Sequence, residues 1–495
     1  MTRGGTHRIG AAATIVMATF VAARAASGPA LPSGEPLAVE STALVPLDTE
    51  SSISIAGIHG VISIATRDER ELRVVSRLLG PQGGDSPVGI WQGESSLTVA
   101  PAPREKDVAR LLSVEVPRGF AIDVDAADSD VVIQSADGSI ALRGSSLRAS
   151  VVSNKGYLVA DLDGGTLTLR DSNDATLRLR GTTVTVDGMS RNVNVRATNG
   201  TISLSNVSGS TDIESEDCTL VLDDLLGSIH VKARRGEATV ARSLGAAEFE
   251  MAGTPLLLKD GKGDVAVTSD ATVAFDSMAA SMRFDMYGGA LRGKGNRGAV
   301  EVRTRNSEVN LEAIELGVRI RGDGLKANIV DVGGELSLET SNSDFVVDRV
   351  GNVVAKVDRG NVTIQNAARG VQATVVDGQV HLIDGNGPVI LDLDGGDAEV
   401  SWATISGDKD SRLTNKSGSV TVRFPRSGHC RVEAKSRHGR IDSDLPTVRV
   451  MEDLSEAQGP INGGIRPIVT IAADGDIHLL SAPKDPESLE VPADN

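Results

Sequence analysis

The sequence predicts an all-β fold: an elongated parallel β-helix or β-solenoid with coils of about 18 residues and irregular β caps at both ends. Three observations carry this. From Gly200 onward, small residues recur every nine positions, at Gly209, Cys218, Gly227, Gly236 and Gly245. Between them lie short alternating stretches, Ile202/Leu204, Thr211/Ile213, Leu220/Leu222, Ile229/Val231, Ala238/Val240 and Ala247/Phe249. Side chains at i and i+2 share one face of a strand, so each stretch offers an inward pair. Finally, aromatic residues make up 2% of the 495 positions, against 40% hydrophobic residues and 54 glycines. An interior of aliphatic residues with frequent glycine turns suits short strands in a stack.

The turns add a second level of order. Those ending at Gly200, Cys218 and Gly236 are polar, whereas those ending at Gly209, Gly227 and Gly245 carry Val207, Leu225/Leu226 and Leu244. The repeat is therefore about 18 residues with two unlike corners. It continues at Gly351, Gly360, Gly370, Gly378, Gly387 and Gly396 and blurs between residues 253 and 298. Residues 121–424 form the solenoid, with fifteen or sixteen coils expected between 130 and 422. The period leaves open whether each coil has two or three sides. One coil buries too few aliphatic side chains to offset the entropy of ordering it, so coils hold only by stacking.

The remaining segments follow in order. Arg3, His7 and Arg8, an apolar run over 9–21 and the small residues around Arg24 form a secretory signal over 1–25, with cleavage after Ala25 or Ala26. Its apolar run is shorter than a transmembrane helix needs, and no later stretch is long enough, so the mature chain is expected to lack a membrane span. Export to the periplasm or the cell exterior follows. Residues 26–40 read as a flexible leader and 41–120 as an N-terminal β cap, with strand-like runs at 52–55, 61–65, 72–77 and 112–117. Residues 425–481 read as a C-terminal β cap, and the acidic, proline-bearing 482–495 as a disordered tail.

The net charge of −17 falls to −20 once Arg3, Arg8 and Arg24 leave with the signal, and it disfavours nucleic acid as a partner. Cys218 and Cys430 lie about twelve coils apart, far beyond disulfide reach, so no disulfide is expected.

Several segments resemble the bacterial adhesin-like domain family, relatives of the head-GIN domains and themselves of unknown function. The resemblance rests on Ile53-Ser-Ile55, on the run from His59 to Ile64 and on Val114-Glu-Val-Pro-Arg-Gly119. It continues in the Asn/Asp-Gly-x-Ile/Val-x-Leu units beginning at Asp137, Asn199 and Asp377, and in Asp474-Gly-Asp-Ile-His-Leu479. It spans nearly the whole mature chain and implies an exported β-solenoid without catalytic residues.

No cofactor and no catalytic set is expected. His429, Cys430 and His438 lack the fourth ligand of a structural zinc site. Asp161 and Asp163, and Asp392 and Asp394 with Asp397, are the weak metal candidates. Each Asp-Leu-Asp puts two carboxylates on one strand face, short of the six to eight oxygens that calcium takes. The same pairs stand at the spacing of glycosidase carboxylates, but Trp91 and Trp402 are too isolated to form a sugar platform. The expected role is a non-catalytic envelope protein, an adhesin or partner-binding scaffold whose acidity favours cationic partners. The alternatives are a polysaccharide lyase or glycosidase, and a structural protein that associates with itself.

Overall fold

The computed structural model describes residues 38–47, 51–79, 87–102, 108–405 and 409–482. The signal segment with Ala25 and Ala26, most of the leader, and the tail beyond 482 lie outside these residues. Among the described residues there is no helix, and the chain is a parallel β-solenoid of about 17 turns with coils of about 18 residues.

Each coil supplies two strands, so the coil is two-sided. In ladder A, Val193 pairs with Thr211, Thr211 with Ile229 and Ile229 with Ala247. In ladder B, Ile202 pairs with Leu220, Leu220 with Ala238 and Ala238 with Leu256. The inward pairs expected from the sequence, from Ile202/Leu204 to Ala247/Phe249, are all buried, and both ladders feed one continuous core. The register holds through residues 253–298. There, Leu256 pairs with Val273 and Val265 with Met282, at 17 residues rather than 18, and Phe275 stacks on Phe284 at 5.6 Å. A one-residue deletion and a core of Phe and Met obscure the period at that point.

The two bends differ in kind. Between ladder A and ladder B the chain turns on one residue in the left-handed region, Asn199, Asp217, Arg235 and Gly253 in successive coils, with φ of 50–58°. The next residue points inward and is glycine or a small donor. Thr182, Cys218 and Thr254 each bond the carbonyl two residues back, at 3.0, 3.2 and 3.1 Å. These bonds satisfy buried polar atoms that would otherwise destabilise the bend. The return bend is apolar inside, with Met189, Val207 and Leu225 buried. Leu244 departs from the expectation: it is 48% exposed, and the buried residue in its coil is Ser243, one position earlier.

Two glycines show that their common residue type answers two different demands. Gly245 is needed for space, because a Cβ there would sit 2.0 Å from the Gly227 carbonyl oxygen in the coil below. Gly227, Gly236, Gly360, Gly378, Gly387 and Gly396 meet the same obstacle at 1.9–2.2 Å, and Gly200 meets it at 2.4 Å. For Gly209 and Gly351 the obstructing backbone is at 2.4 and 2.6 Å, and for Gly370 it is the Pro388 carbonyl of the coil above at 2.9 Å. Gly253, by contrast, has φ +58° and open space where a Cβ would go.

Both ends break the sequential order of coils. Ser52–Ala56 and His59–Arg67 lie between Ala121–Ala127 with Ser129–Gln134 on one side and Ser96–Pro101 with Ala109–Pro117 on the other. The outer pair is closed by antiparallel Val88–Gln92 and Glu71–Leu78, and these by Ala38–Glu40 and Thr42–Pro46. At the other end Ile468–Ala473 and Ile477–Ser481 sit between Ser411–Asn415 with Val420–Phe424 and Cys430–Ser436 with Ile441–Ser443. Antiparallel Glu456–Ile461 covers Cys430–Ser436. The column is one or two coils longer than the repeat between 130 and 422 indicates, because these cap strands stack in the same ladders.

Two outcomes test this packing. Ile229→Asp places a carboxylate in the core and is expected to cost about 3–5 kcal/mol in chemical denaturation, whereas outward-facing Thr239→Asp stays within about 0.5 kcal/mol. Gly253→Asn keeps a conformation its neighbours already adopt and should leave the melting temperature nearly unchanged. Gly245→Asn should lower it by several degrees, because the backbone of two coils must separate.

Candidate functional site

The outward side chains of the two ladders form two unlike faces. On ladder A, one column runs from Asp161 through Arg178, Arg196, Glu214, Lys232, Glu250, Thr268, Asp285, Arg303, Arg321, Glu339, Lys356 and Thr374 to Asp392. Only the two threonines in it are uncharged. Opposite charges on neighbouring coils meet: Arg196 and Glu214 at 3.3 Å, Lys232 and Glu250 at 3.0 Å, Arg321 and Glu339 at 3.1 Å. The bends do the same, with Arg235 on Asp217 at 2.8 Å and Arg242 on Asp224 at 3.3 Å. The hydrogen bond from Arg235 holds the Asp217 carboxyl below its ordinary range, and that from Arg349 does so for Asp331. Such exposed pairs add little stability singly but fix one coil's register on the next.

Two grooves cross this face. One, of about 1040 Å³, runs along the strand starts and is lined by Ala246, Ala266 and Ala299 together with His230, Glu248 and Arg283. The other, of about 1060 Å³, crosses the strand ends and holds Asp161, Asp163, Arg178, Arg180, Arg196 and Tyr287. Tyr287 is 65% exposed and offers the groove an aromatic surface that neither tryptophan supplies there. Trp402 is a core residue stacked on Phe424 at 5.9 Å, with its indole N–H donated to the Gly387 carbonyl.

Four of the five acidic candidates are engaged by a neighbouring coil. Asp163 lies 3.7 Å from Arg180, Asp392 3.2 Å from Arg412 and Asp394 2.9 Å from Lys416, while Asp397 accepts the Ser419 backbone N–H at 2.9 Å. Asp161 pairs in register with Arg178. Among the described residues no group of three or more His, Cys, Asp or Glu side chains is placed to hold a metal ion. Nor do His429, Cys430 and His438 converge. His438 lies 2.7 Å from Asp474, His429 stands against the Ser427 carbonyl, and Cys430 is buried.

Ladder B looks different. Its central outward column reads Val132, Ser150, Thr168, Thr185, Ser203, Val221, Thr239, Leu257 and Ala274 over nine successive coils, with no charge until Arg292. Beside it stand Thr166, Thr183, Thr201 and Thr219. Neither face stands out along the chain. The signal is there, in residues 17 or 18 apart, but an order read around the coil scatters it.

These features define a parallel β-solenoid repeat protein with long side-chain columns on its two faces. The family model described as Toastrack DUF4097 matches residues 112–480, well over half of the chain, and the chain belongs to that family, a domain of unknown function. No curated protein and no solved structure matches it. Among the described residues no helix is long and apolar enough to cross a membrane.

Cys218 and Cys430 are both buried free thiols. Burial pushes the Cys430 thiol up to about 11 and raises that of Cys218 as well. A raised thiol keeps its proton, so the native fold is stable below the ordinary thiol range and loses this contribution as pH climbs through the folded value. At pH 8 a thiol reagent should leave both residues unmodified in the native chain and label two per chain after unfolding. Rapid labelling of the native chain would contradict the buried assignment.

Proposed function

We propose that this chain is an exported, non-catalytic scaffold of the cell envelope that holds a cationic partner along the charged face of ladder A, an adhesin in the broad sense. The observation that carries the reading is the net charge of −17 beside the two grooves of ladder A, whose column from Asp161 to Asp392 sets six acids against six bases and so offers a cationic partner carboxylates in a row. A column of stacked coils presents a long, pre-formed surface, and complementary charge speeds encounter and selects partners. Export rests on the signal-like residues 1–25.

Glycan cleavage has less support. Asp161 and Asp163 are adjacent outward residues of one strand, with Arg178 and Arg180 beside them in the next coil. Glycosidase carboxylates stand across a scissile bond, one of them holding a proton to donate.

The chain immobilised through its C-terminus and exposed to envelope extract in low salt should retain basic proteins or peptides, and molar salt should release them. Asp161→Asn with Glu214→Gln should weaken that retention. Material recovered from the envelope should begin at Ala26 or Ser27. Retention unaffected by salt and by both substitutions would overturn charge-led binding, and a mature protein still carrying residues 1–25 would overturn cleavage.

A further inference from the structure

We infer that the outer surface of ladder B around its uncharged central column, from Val132 to Ala274, pairs with the same surface of a second copy of this chain. The inference does not depend on partner binding by ladder A, which lies on the other side of the core.

Charge placement is the first reason. About a quarter of the chain is Asp, Glu, Lys or Arg, yet nine coils pass along the centre of this face with only Ser, Thr, Val, Leu and Ala. Val221 is 41% exposed there. Covering an ionised face strips water from charges at high cost, whereas hydroxyls and methyls on a flat sheet are covered cheaply. The occupant must be equally free of charge. Two molecules of net charge −17 repel, and pairing through ladder B keeps the densely charged ladder A faces on the far sides of both copies.

Register is the second reason. Both copies present side-chain rows at the same strand step of about 4.8 Å, so rows meet rows across a two-fold axis near the middle coil, at Ser203. Sheets pack face to face in this way at about 10 Å. Charges return at the margins, at Asp130, Arg148 and Glu237 on one side and Arg170, Asp187 and Asp223 on the other, which matches the polar rim of a protein interface.

Area sets the strength. Eight steps of about 4.8 Å by a five-residue strand of about 17 Å cover roughly 650 Å² per copy, charged margins included. A standard specific interface buries about 800 Å² per partner, so this pair belongs to the smaller, exchanging class of interfaces.

Sedimentation of the full chain from about 1 to about 200 µM should show the mass rise from one copy toward two, with no weakening in high salt. Ser203→Arg and Thr185→Arg should each weaken the pair at least about tenfold. Thr268→Arg on ladder A should leave it unchanged, and all three variants should melt like the parent because the three positions face outward. A single mass at every concentration, a pair that both ladder B substitutions leave intact, or growth without limit by end-to-end addition would each overturn the inference. Loss of salt-released partner retention with the pair intact would bear on the proposed function alone.

Discussion

The backbone of one coil rests on the backbone of the next, and everything else in this molecule is arranged around that contact. At the bends the approach is so close that Gly245 leaves no room for a Cβ above the Gly227 carbonyl, and the same holds along the column. A coil of 18 residues cannot hide enough aliphatic surface to order itself, so stability belongs to the stack. The two strands of each coil then need only a period-two pattern to point Ile202 and Leu204, or Ile229 and Val231, into the shared interior. Where Phe275 and Phe284 replace aliphatics, the stack absorbs a 17-residue coil without losing register.

Because the coils repeat, whatever stands outward at one position stands in a row with its counterparts. That turns a scattered composition into surfaces: a column of ions of both signs on ladder A and a neutral strip on ladder B. Many of the ion pairs run between coils, as with Arg235 on Asp217 and Lys232 on Glu250, while others, such as Arg283 with Asp285, stay within one. They act as register pins as much as contacts available to a partner.

The solenoid was legible in the sequence because its cause is local: inward pairs two residues apart and small residues every nine. The two unlike corners were legible for the same reason, since the inward residue after Asn199 or Asp217 has space only for glycine or a small donor. Leu244 misled, because an aliphatic residue beside Ser243 looks like the buried one until the bend assigns a direction to each. The coil count fell short at the ends because Ser411 pairs with Val469, a jump of 58 residues that leaves no periodic trace. The faces were hidden for a related reason. Thr168, Thr185 and Ser203 are neighbours in space but separated in the chain by whole coils. The acidic pairs at Asp161 and Asp392 attracted notice as local motifs, and their true neighbours, Arg178 and Arg412, were again one coil away.

The placement of the last two strands has a mechanical consequence. Ile468–Ala473 and Ile477–Ser481 lie between two earlier coils, with paired strands on both sides. A tug on the tail therefore does not peel the outermost layer. It must slide a rung out from between two others, shearing both rows of backbone hydrogen bonds together, and the C-terminus is the hardest place from which to unravel the column by force.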